Sequence, residues 1–177
     1  KPHVRDQFIT KALTRASGEG IEAYFVQKDG EIDNAGTKNP DIQQKLQQEK
    51  VRTFKELDGD TRAYLWSQSY KDSRKLDEFK RHTDGSGFQK KEVEQYQYGL
   101  QKMLSDKIVK EPKEASAMYD QMDQAARVRL VQDKKGRKLV LDKLETHIWE
   151  NESPAVAQAK SQIIEQDFIS AGFGDEY

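Results

Sequence analysis

Residues 93–108 read VEQYQYGLQKMLSDKI, and this stretch decides the fold class of the chain. Apolar side chains recur in it at alternating intervals of three and four residues, at Val93, Tyr96, Leu100 and Met103. Such intervals keep side chains on one face of an α-helix and are typical of helices that pack closely together. We therefore predict a helix within a helical bundle, with Leu104 as a further packing residue. Tyr98 lies off this face and is predicted to point outward.

Helical spacing of apolar residues continues on both sides of this stretch. It predicts further helices over residues 2–17, 40–57, 60–79, 112–126, 144–149 and 154–168. Asn39 before Pro40 is a typical helix start, and Asp60 can cap the next helix. Residues 27–41 are rich in Asp, Asn and Gly, and we expect a loop there.

The pattern changes at residues 127–141. Short apolar runs at 128–131 and 139–141 flank Asp133-Lys134-Lys135-Gly136, and a Gly between such arms is typical of a β-hairpin. The predicted fold is mainly α, an irregular bundle of about six helices with one β-hairpin over residues 127–141. Residues 1–38 are predicted to form an N-terminal helix and loop, and residues 39–177 a helical domain. One continuous domain over residues 1–177 is the alternative.

Composition limits both the core and the chemistry. Charged residues make up 34% of the chain, and 30 basic against 31 acidic residues leave a formal charge of −1. Helices this polar turn much of their surface to water, so we expect a thin core and a soluble protein, either cytoplasmic or a secreted effector. The absence of cysteine excludes disulfides, thiolate metal sites and cysteine nucleophiles. No apolar run approaches the ~18 residues of a membrane-spanning helix, so we expect no membrane insertion.

Residues 82–94 resemble an EF-hand calcium loop, in which oxygen ligands stand at fixed positions around a Gly at position 6. With Gly87 at that position, Asp84 and Ser86 fall on ligand positions 3 and 5. Val93, however, falls on position 12, where the motif requires a bidentate Glu. Calcium binding through Asp84 and Ser86 is therefore an alternative to a Gly-rich turn between two helices, and no other cofactor is expected.

Charge is unevenly distributed over the last third of the sequence. Residues 127–143 carry seven basic side chains against two acidic ones, and residues 144–177 carry seven acidic ones against one basic. Four of the basic residues surround the predicted turn, at Lys134, Lys135, Arg137 and Lys138. A hairpin of this kind could contact nucleic-acid phosphates. Alternatively, the acidic segment neutralises it, within the chain or across a self-associated oligomer.

Two further clusters of acidic residues suggest a metal site and an acid–base site. Asp29, Glu31 and Asp33 alternate in the predicted loop, an arrangement that can gather a hard cation. His147 lies near Glu145 and Glu150 on one predicted helix, and a His beside carboxylates can act as a general base. Neither cluster has the spacing of a metal or catalytic motif. An enzyme site would have to be assembled by the fold alone.

These observations favour a non-catalytic helical module that binds or scaffolds another protein. We expect it to be a domain of a larger bacterial secreted, virulence or mobile-element protein. Its exposed partner contacts are predicted at Tyr98, Lys134, Lys135, Arg137 and Lys138. Nucleic-acid binding through residues 127–143, calcium binding in the 82–94 loop and an enzyme site assembled in the fold are the alternatives.

Overall fold

The computed structural model describes residues 18–84 and 90–177 of the chain. These residues form nine α-helices and no β-strand, so the predicted mainly α class is confirmed. The helices are α1 (Gly18–Ala35), α2 (Pro40–Lys55), α3 (Gly59–Ser69), α4 (Ser73–Asp84), α5 (Lys90–Lys110), α6 (Pro112–Gln121), α7 (Gln124–Gln132), α8 (134–151) and α9 (Pro154–Ser170).

Irregular turns accompany these helices. α8 contains a π-helical turn, Val140–Glu145, and short 3-10 turns lie at Gly36–Lys38 and Gly174–Glu176. Over the described ranges, no helix combines the length and the apolar character needed to cross a membrane. The helix predicted over residues 2–17 lies outside the described residues.

The chain divides into two compact units, residues 1–96 and 97–177, and the boundary falls within α5. A separate N-terminal domain over residues 1–38 stays a prediction. In the first unit, aromatic side chains join α2, α4 and α5. The rings of Phe54 and Phe79 meet edge to face with centroids 5.6 Å apart, and Phe79 stacks on Tyr96 at 6.0 Å. Aromatic pairs of this geometry add to the free energy gained by burial.

Aspartate side chains cap the starts of α3 and α4, whereas Asn39 makes no side-chain cap hydrogen bond at the start of α2. The Asp58 carboxylate accepts a backbone N–H of the first turn of α3 at 2.8 Å, whereas Asp60, the predicted cap, is exposed in that turn. Asp72 accepts the Arg74 N–H at 3.0 Å at the start of α4. The single helix predicted over residues 60–79 is therefore two helices, because a second cap interrupts it.

Residues 27–35, predicted as part of a loop, belong to α1. Ile32 is only 8% exposed, and the Lys28 ammonium pairs with Glu49 of α2 at 3.4 Å. Asp, Asn and Gly have low helix propensity, but propensity is a weak prior that tertiary contacts override. The predicted loop is wrong over these residues because one face of the segment is buried and paired.

In the second unit, α5 supplies the apolar face that its spacing predicted. Leu100 and Leu104 are completely buried there, and Met103 is partly buried. Asp167 of α9 is also completely buried and accepts the Tyr119 hydroxyl at 2.6 Å. The core of this unit therefore contains a carboxylate as well as apolar side chains.

The β-hairpin predicted over residues 127–141 is wrong, because these residues form parts of α7 and α8. Short apolar runs fit a strand and a buried helix equally well, and here Leu130 and Val131 are buried on a helix. The break between the runs is a helix–helix corner, where Asp133 accepts the Gly136 N–H at 3.2 Å and caps α8. A Cβ on Gly136 would lie 1.9 Å from the Leu130 carbonyl oxygen, so the close approach of two helices requires the glycine.

The π-helical turn of α8 coincides with an unusual spacing of buried residues. Four buried residues stand four positions apart, at Gly136, Val140, Leu144 and Ile148. In a regular α-helix, positions four apart drift by about 40° per step around the helix axis. The wider i→i+5 turn offsets this drift, so all four residues stay on the buried side.

Candidate functional site

The exposed contacts predicted from the sequence lie on α5 and α8 of the second unit. Tyr98 of α5 is 50% exposed, and the Lys102 ammonium lies 5.5 Å from the centre of its ring. Lys134, Lys135 and Lys138 are exposed in the first turns of α8. Their role in partner or nucleic-acid binding stays a prediction.

Arg137, the fourth basic residue of that set, is engaged inside the unit. Its side chain is 11% exposed, and its Nη1 donates to the carbonyls of Val131 and Gln132 at 3.1 and 3.0 Å. Its guanidinium carbon lies 3.7 Å from the centre of the Phe173 ring. Arg137 therefore caps the C-terminal end of α7, where carbonyls lack helical partners.

The predicted calcium loop is only partly described. Ser86 lies outside the described residues, as does the side chain of Asp84, the last residue of α4. The loop residues from Lys90 onward belong to α5. Over residues 18–84 and 90–177, no group of three or more His, Cys, Asp or Glu side chains could hold a metal ion.

Two members of the predicted acid–base cluster, both on α8, contact different partners. His147 Nδ1 lies 3.1 Å from the Asn151 side-chain amide, whereas Glu145 accepts the Tyr177 hydroxyl at 2.5 Å. The structure therefore gives each of these side chains a partner within the second unit.

A trench in the second unit runs along α9. Two depressions of about 470 and 230 Å³ adjoin each other, and both are lined by Ala159 and Ile163. The lining residues on α9 extend from Ala155 to Asp167, and residues of α6 and α7 form the opposite wall. Val156 on the α9 side is 41% exposed. The trench therefore presents an apolar strip of α9 to solvent.

Two ion pairs join α9 to the helices across the trench. Near the middle of the α9 lining, Lys160 pairs with Asp120 of α6 at 3.2 Å and donates to the Ser116 hydroxyl at 2.7 Å. At the Asp167 end, Nε of Arg127 on α7 lies 2.8 Å from a carboxylate oxygen of Asp167 on α9. Because each pair joins α9 to a neighbouring helix, the walls are held in place without a ligand.

Asp167 is the centre of a buried polar network beside the trench. It accepts the Tyr119 hydroxyl and the Arg127 Nε, and Arg127 also donates to the Met122 carbonyl beyond the end of α6. Burial, the charge of Asp167 and the hydrogen bond to it raise the pKa of Tyr119 well above its usual value. The Tyr119 hydroxyl therefore stays a donor, and the buried carboxylate keeps its partners.

A cavity of about 130 Å³ opens in the first unit. Its apolar lining comes from four helices, at Phe25, Phe54, Leu65 and Phe79. The rings of Phe25 and Phe54 have centroids 5.9 Å apart. Val26 also lines the cavity and is 67% exposed, so the cavity is open to solvent beside α1.

The charged side of this cavity is an ion cluster around Lys50 of α2. Lys50 is 8% exposed and pairs with Asp29 of α1 at 2.6 Å and with Glu78 of α4. Burial alone would lower the pKa of Lys50, but hydrogen bonds to Asp29 and Glu78 and the charges of both carboxylates outweigh it and raise the pKa. Lys50 is therefore a cation at neutral pH and joins three helices at the cavity wall.

Neither the trench nor the cavity has a local sequence signal. Phe25, Phe54 and Phe79 lie on three helices, and no motif connects them. Val156 and Ile163 fit the helical spacing of α9, but that spacing does not tell which face is buried. The sequence therefore predicts the helix but not the open strip on it.

Known proteins provide no template for these two features. The chain matches no protein-family model, no curated protein and no solved structure. Its function therefore has to be inferred from the geometry of the trench and the cavity.

Proposed function

We propose that this chain is a non-catalytic protein-interaction module that binds an amphipathic helix of a partner protein in the trench along α9. The supporting observation is the open strip of apolar side chains on α9. Val156, Ala159 and Ile163 stand three and four residues apart and line the same depression. This interval matches one half of a seam between two packed helices.

The length of the trench suits a partner helix of about three turns. The residues from Ala155 to Asp167 extend over about 18 Å of α9. A helix that lays apolar side chains at i, i+3 or i+4 and i+7 into a groove needs about this length. The ion pairs already hold the walls in place. Binding of the partner helix therefore costs little conformational entropy in the trench.

The polar lining determines which helices fit. Lys160 pairs with Asp120 and Arg127 with Asp167, and the remaining polar lining consists of the amides of Gln124, Gln162 and Gln166. A charged side chain on the buried face of the partner would lose hydration and gain little, because the charges of the trench are already paired. We therefore expect a partner helix with an apolar stripe flanked by uncharged polar residues.

Selection of displayed helical peptides against the full chain tests this function. Ile163→Asp places a charge in the trench, and Ile169→Asp is the matched control, because Ile169 is 52% exposed on the same helix and does not line the trench. We expect the unmodified chain and Ile169→Asp to enrich peptides with apolar residues at i, i+3 or i+4 and i+7. Ile163→Asp should bind these peptides about ten-fold more weakly or worse.

Circular dichroism of each variant separates lost binding from lost folding. The proposal is overturned if the enriched peptides bind Ile163→Asp as tightly as the unmodified chain. It is equally overturned if the folded chain enriches no peptides above an unrelated helical protein.

A further inference from the structure

We propose that the cavity of the first unit is a binding site for a single aromatic ring that carries a protonated amine. The site is independent of the trench and of the partner helix proposed for it. It rests on the size of the cavity, its aromatic lining and the carboxylates beside its opening.

The volume of the cavity limits how much of a ligand it can enclose. It holds about 130 Å³. An apolar cavity of about 150 Å³ accepts benzene, whereas sites for drug-sized ligands and cofactors span about 300 Å³ or more. One six-membered ring therefore fills the cavity, and the rest of any larger ligand would lie outside it.

The lining favours an aromatic ring over an aliphatic chain. Phe25, Phe54 and Phe79 all contribute to the walls, and the Phe54 and Phe79 rings already meet edge to face. A ring inserted among them can add offset or edge-to-face contacts, because ring edges and faces carry opposite partial charges. A saturated chain of equal volume gains burial alone.

Carboxylates beside the opening select the charge of the ligand. Glu22 and Asp29 both line the cavity and stand seven residues apart on α1, about two turns along one face. The Asp29 side chain is 47% exposed, and a carboxylate accepts several hydrogen bonds, so pairing with Lys50 leaves it room for another donor. A ligand ammonium placed there gains a charge-assisted hydrogen bond.

The charge balance of the lining supports the same assignment. Glu22, Asp29 and Glu78 are the acidic residues of the lining, against Lys50 and Lys75. Lys50 is committed to two of the carboxylates, and Lys75 is exposed to water. A ligand carboxylate would therefore meet more charge of its own sign than of the opposite sign.

This chemistry has two sources, a free aryl-methylamine and the N-terminal aromatic residue of a peptide. In both, an ammonium group lies within a few bonds of one ring. Benzylamine serves as the probe for the first source. A peptide that begins with Phe, with a free or an acetylated amino group, serves for the second.

NMR titration of the full chain tests the proposal, with benzylamine, benzyl alcohol and benzoate as matched ring probes. We expect benzylamine to bind most tightly and benzoate most weakly, with intermolecular NOEs from the benzylamine ring to the Leu65 methyl groups. Asp29→Asn should weaken benzylamine about three- to five-fold. Asp33→Asn, an exposed change on the same helix away from the cavity, should leave its affinity unchanged.

A cavity-filling variant provides the second measurement. Ser69 lines the cavity, and Ser69→Leu places an isobutyl group inside it, so benzylamine binding should be lost. If Ser69→Leu does not fold, the NOEs to Leu65 in the unmodified chain still decide the location. The proposal is overturned if benzoate binds as tightly as benzylamine, if benzylamine does not bind, or if its NOEs lie elsewhere.

The peptide arm identifies the source once benzylamine binds. Binding of the free-amino peptide and not of the acetylated one assigns the site to peptide N-termini. Binding of benzylamine with neither peptide assigns it to free aromatic amines. Equal binding of both peptides would contradict the role of the ammonium group and overturn the proposal.

Discussion

Each unit contains an arginine of low exposure, and the two arginines have different partners. In the first unit, Arg62 is completely buried, donates to the carbonyls of Lys55 and Leu57 at 2.9 and 3.2 Å, and lies 5.1 Å from the centre of the Phe54 ring. In the second unit, Arg127 pairs with the carboxylate of Asp167, which is itself completely buried. The described hydrogen bonds of Arg62 join α3 to the C-terminal end of α2, and the charges of Glu92 and Asp58 also act on Arg62. Asp167, in contrast, connects three helices.

This difference determines where each unit is most sensitive to substitution. The carbonyls at a helix end carry only partial negative charge. When their donor is removed, no full charge is left without a partner. Asp167 is a full charge, and it holds Tyr119 of α6 and Arg127 of α7 against α9. Loss of Asp167 should therefore lower the free energy of unfolding more than loss of Arg62.

The largest effect is expected for Asp167→Ala. It removes the acceptor of Tyr119 and leaves the Arg127 guanidinium without its carboxylate, and breaking a buried pair in this way costs about 4 kcal/mol. Glu165→Ala, an exposed change on the same helix, should stay within about 0.5 kcal/mol. Amide hydrogen exchange in peptides from residues 97–177 measures both. Similar exchange in the two variants would contradict the central role of Asp167.

Gly136→Ala tests the corner that replaces the predicted hairpin. The new Cβ would lie 1.9 Å from the Leu130 carbonyl oxygen, so α7 and α8 must move apart, at a cost of about 3 kcal/mol. Gly30→Ala is the matched control, because a Cβ there meets no atom within 4 Å and alanine favours a helix by about 1 kcal/mol. Urea denaturation should therefore show opposite signs for the two changes. Stabilisation by Gly136→Ala would refute the close helix approach.

Gly136 also shows what sequence patterns could and could not predict. A Gly after Asp-Lys-Lys fits a β-turn and a helix–helix corner equally well, and the choice depends on Leu130, which the helix corner brings close in space. The apolar spacing at 93–108 can be interpreted without any tertiary contact, because all of its residues lie on one face of one helix. The mainly α class could therefore be predicted from the sequence. The residues of the 127–141 segment could not distinguish a hairpin from a helix corner.

The same limit applies to the candidate sites. The trench depends on which face of α9 the second unit buries, and Ile164 and Ile163 are adjacent in sequence yet differ in burial. The cavity depends on Phe25, Phe54 and Phe79, which only tertiary packing brings together. Arg137 donates to carbonyls at the C-terminal end of α7. Those acceptors exist only because residues 127–141 form a helix corner. The predicted hairpin has no such helix end, so it placed Arg137 at the surface.

Arg62→Met should have a smaller effect than Asp167→Ala. It keeps an apolar stem of similar length but leaves the carbonyls of Lys55 and Leu57 without this donor, at a cost of about 2 kcal/mol. Burial lowers the pKa of Arg62 to about 10, so the buried guanidinium is itself penalised and its removal recovers part of that penalty. Hydrogen exchange at the C-terminal end of α2 is the measurement, with exposed Arg74→Met as the control. A loss larger than that of Asp167→Ala would reverse the proposed order.

The smallest effect concerns Tyr177, whose hydroxyl donates to Glu145 at 2.5 Å and to the Ser161 carbonyl at 3.2 Å. Burial and the hydrogen bond to Glu145 raise the pKa of Tyr177 to about 12 from an ordinary value of 10. The folded second unit therefore holds this proton more tightly than the unfolded chain does. Its contribution to stability is fully present below pH 10 and is lost as the pH rises through about 12.

Tyr177→Phe removes this contribution, so it should lower stability at neutral pH and flatten the decline between pH 10 and 12 relative to the unmodified chain. Urea denaturation at a series of pH values in that window gives the two slopes. Parallel slopes would show that Tyr177 titrates alike in the folded and unfolded chain. The hydroxyl would then contribute nothing to stability that depends on its contact with Glu145.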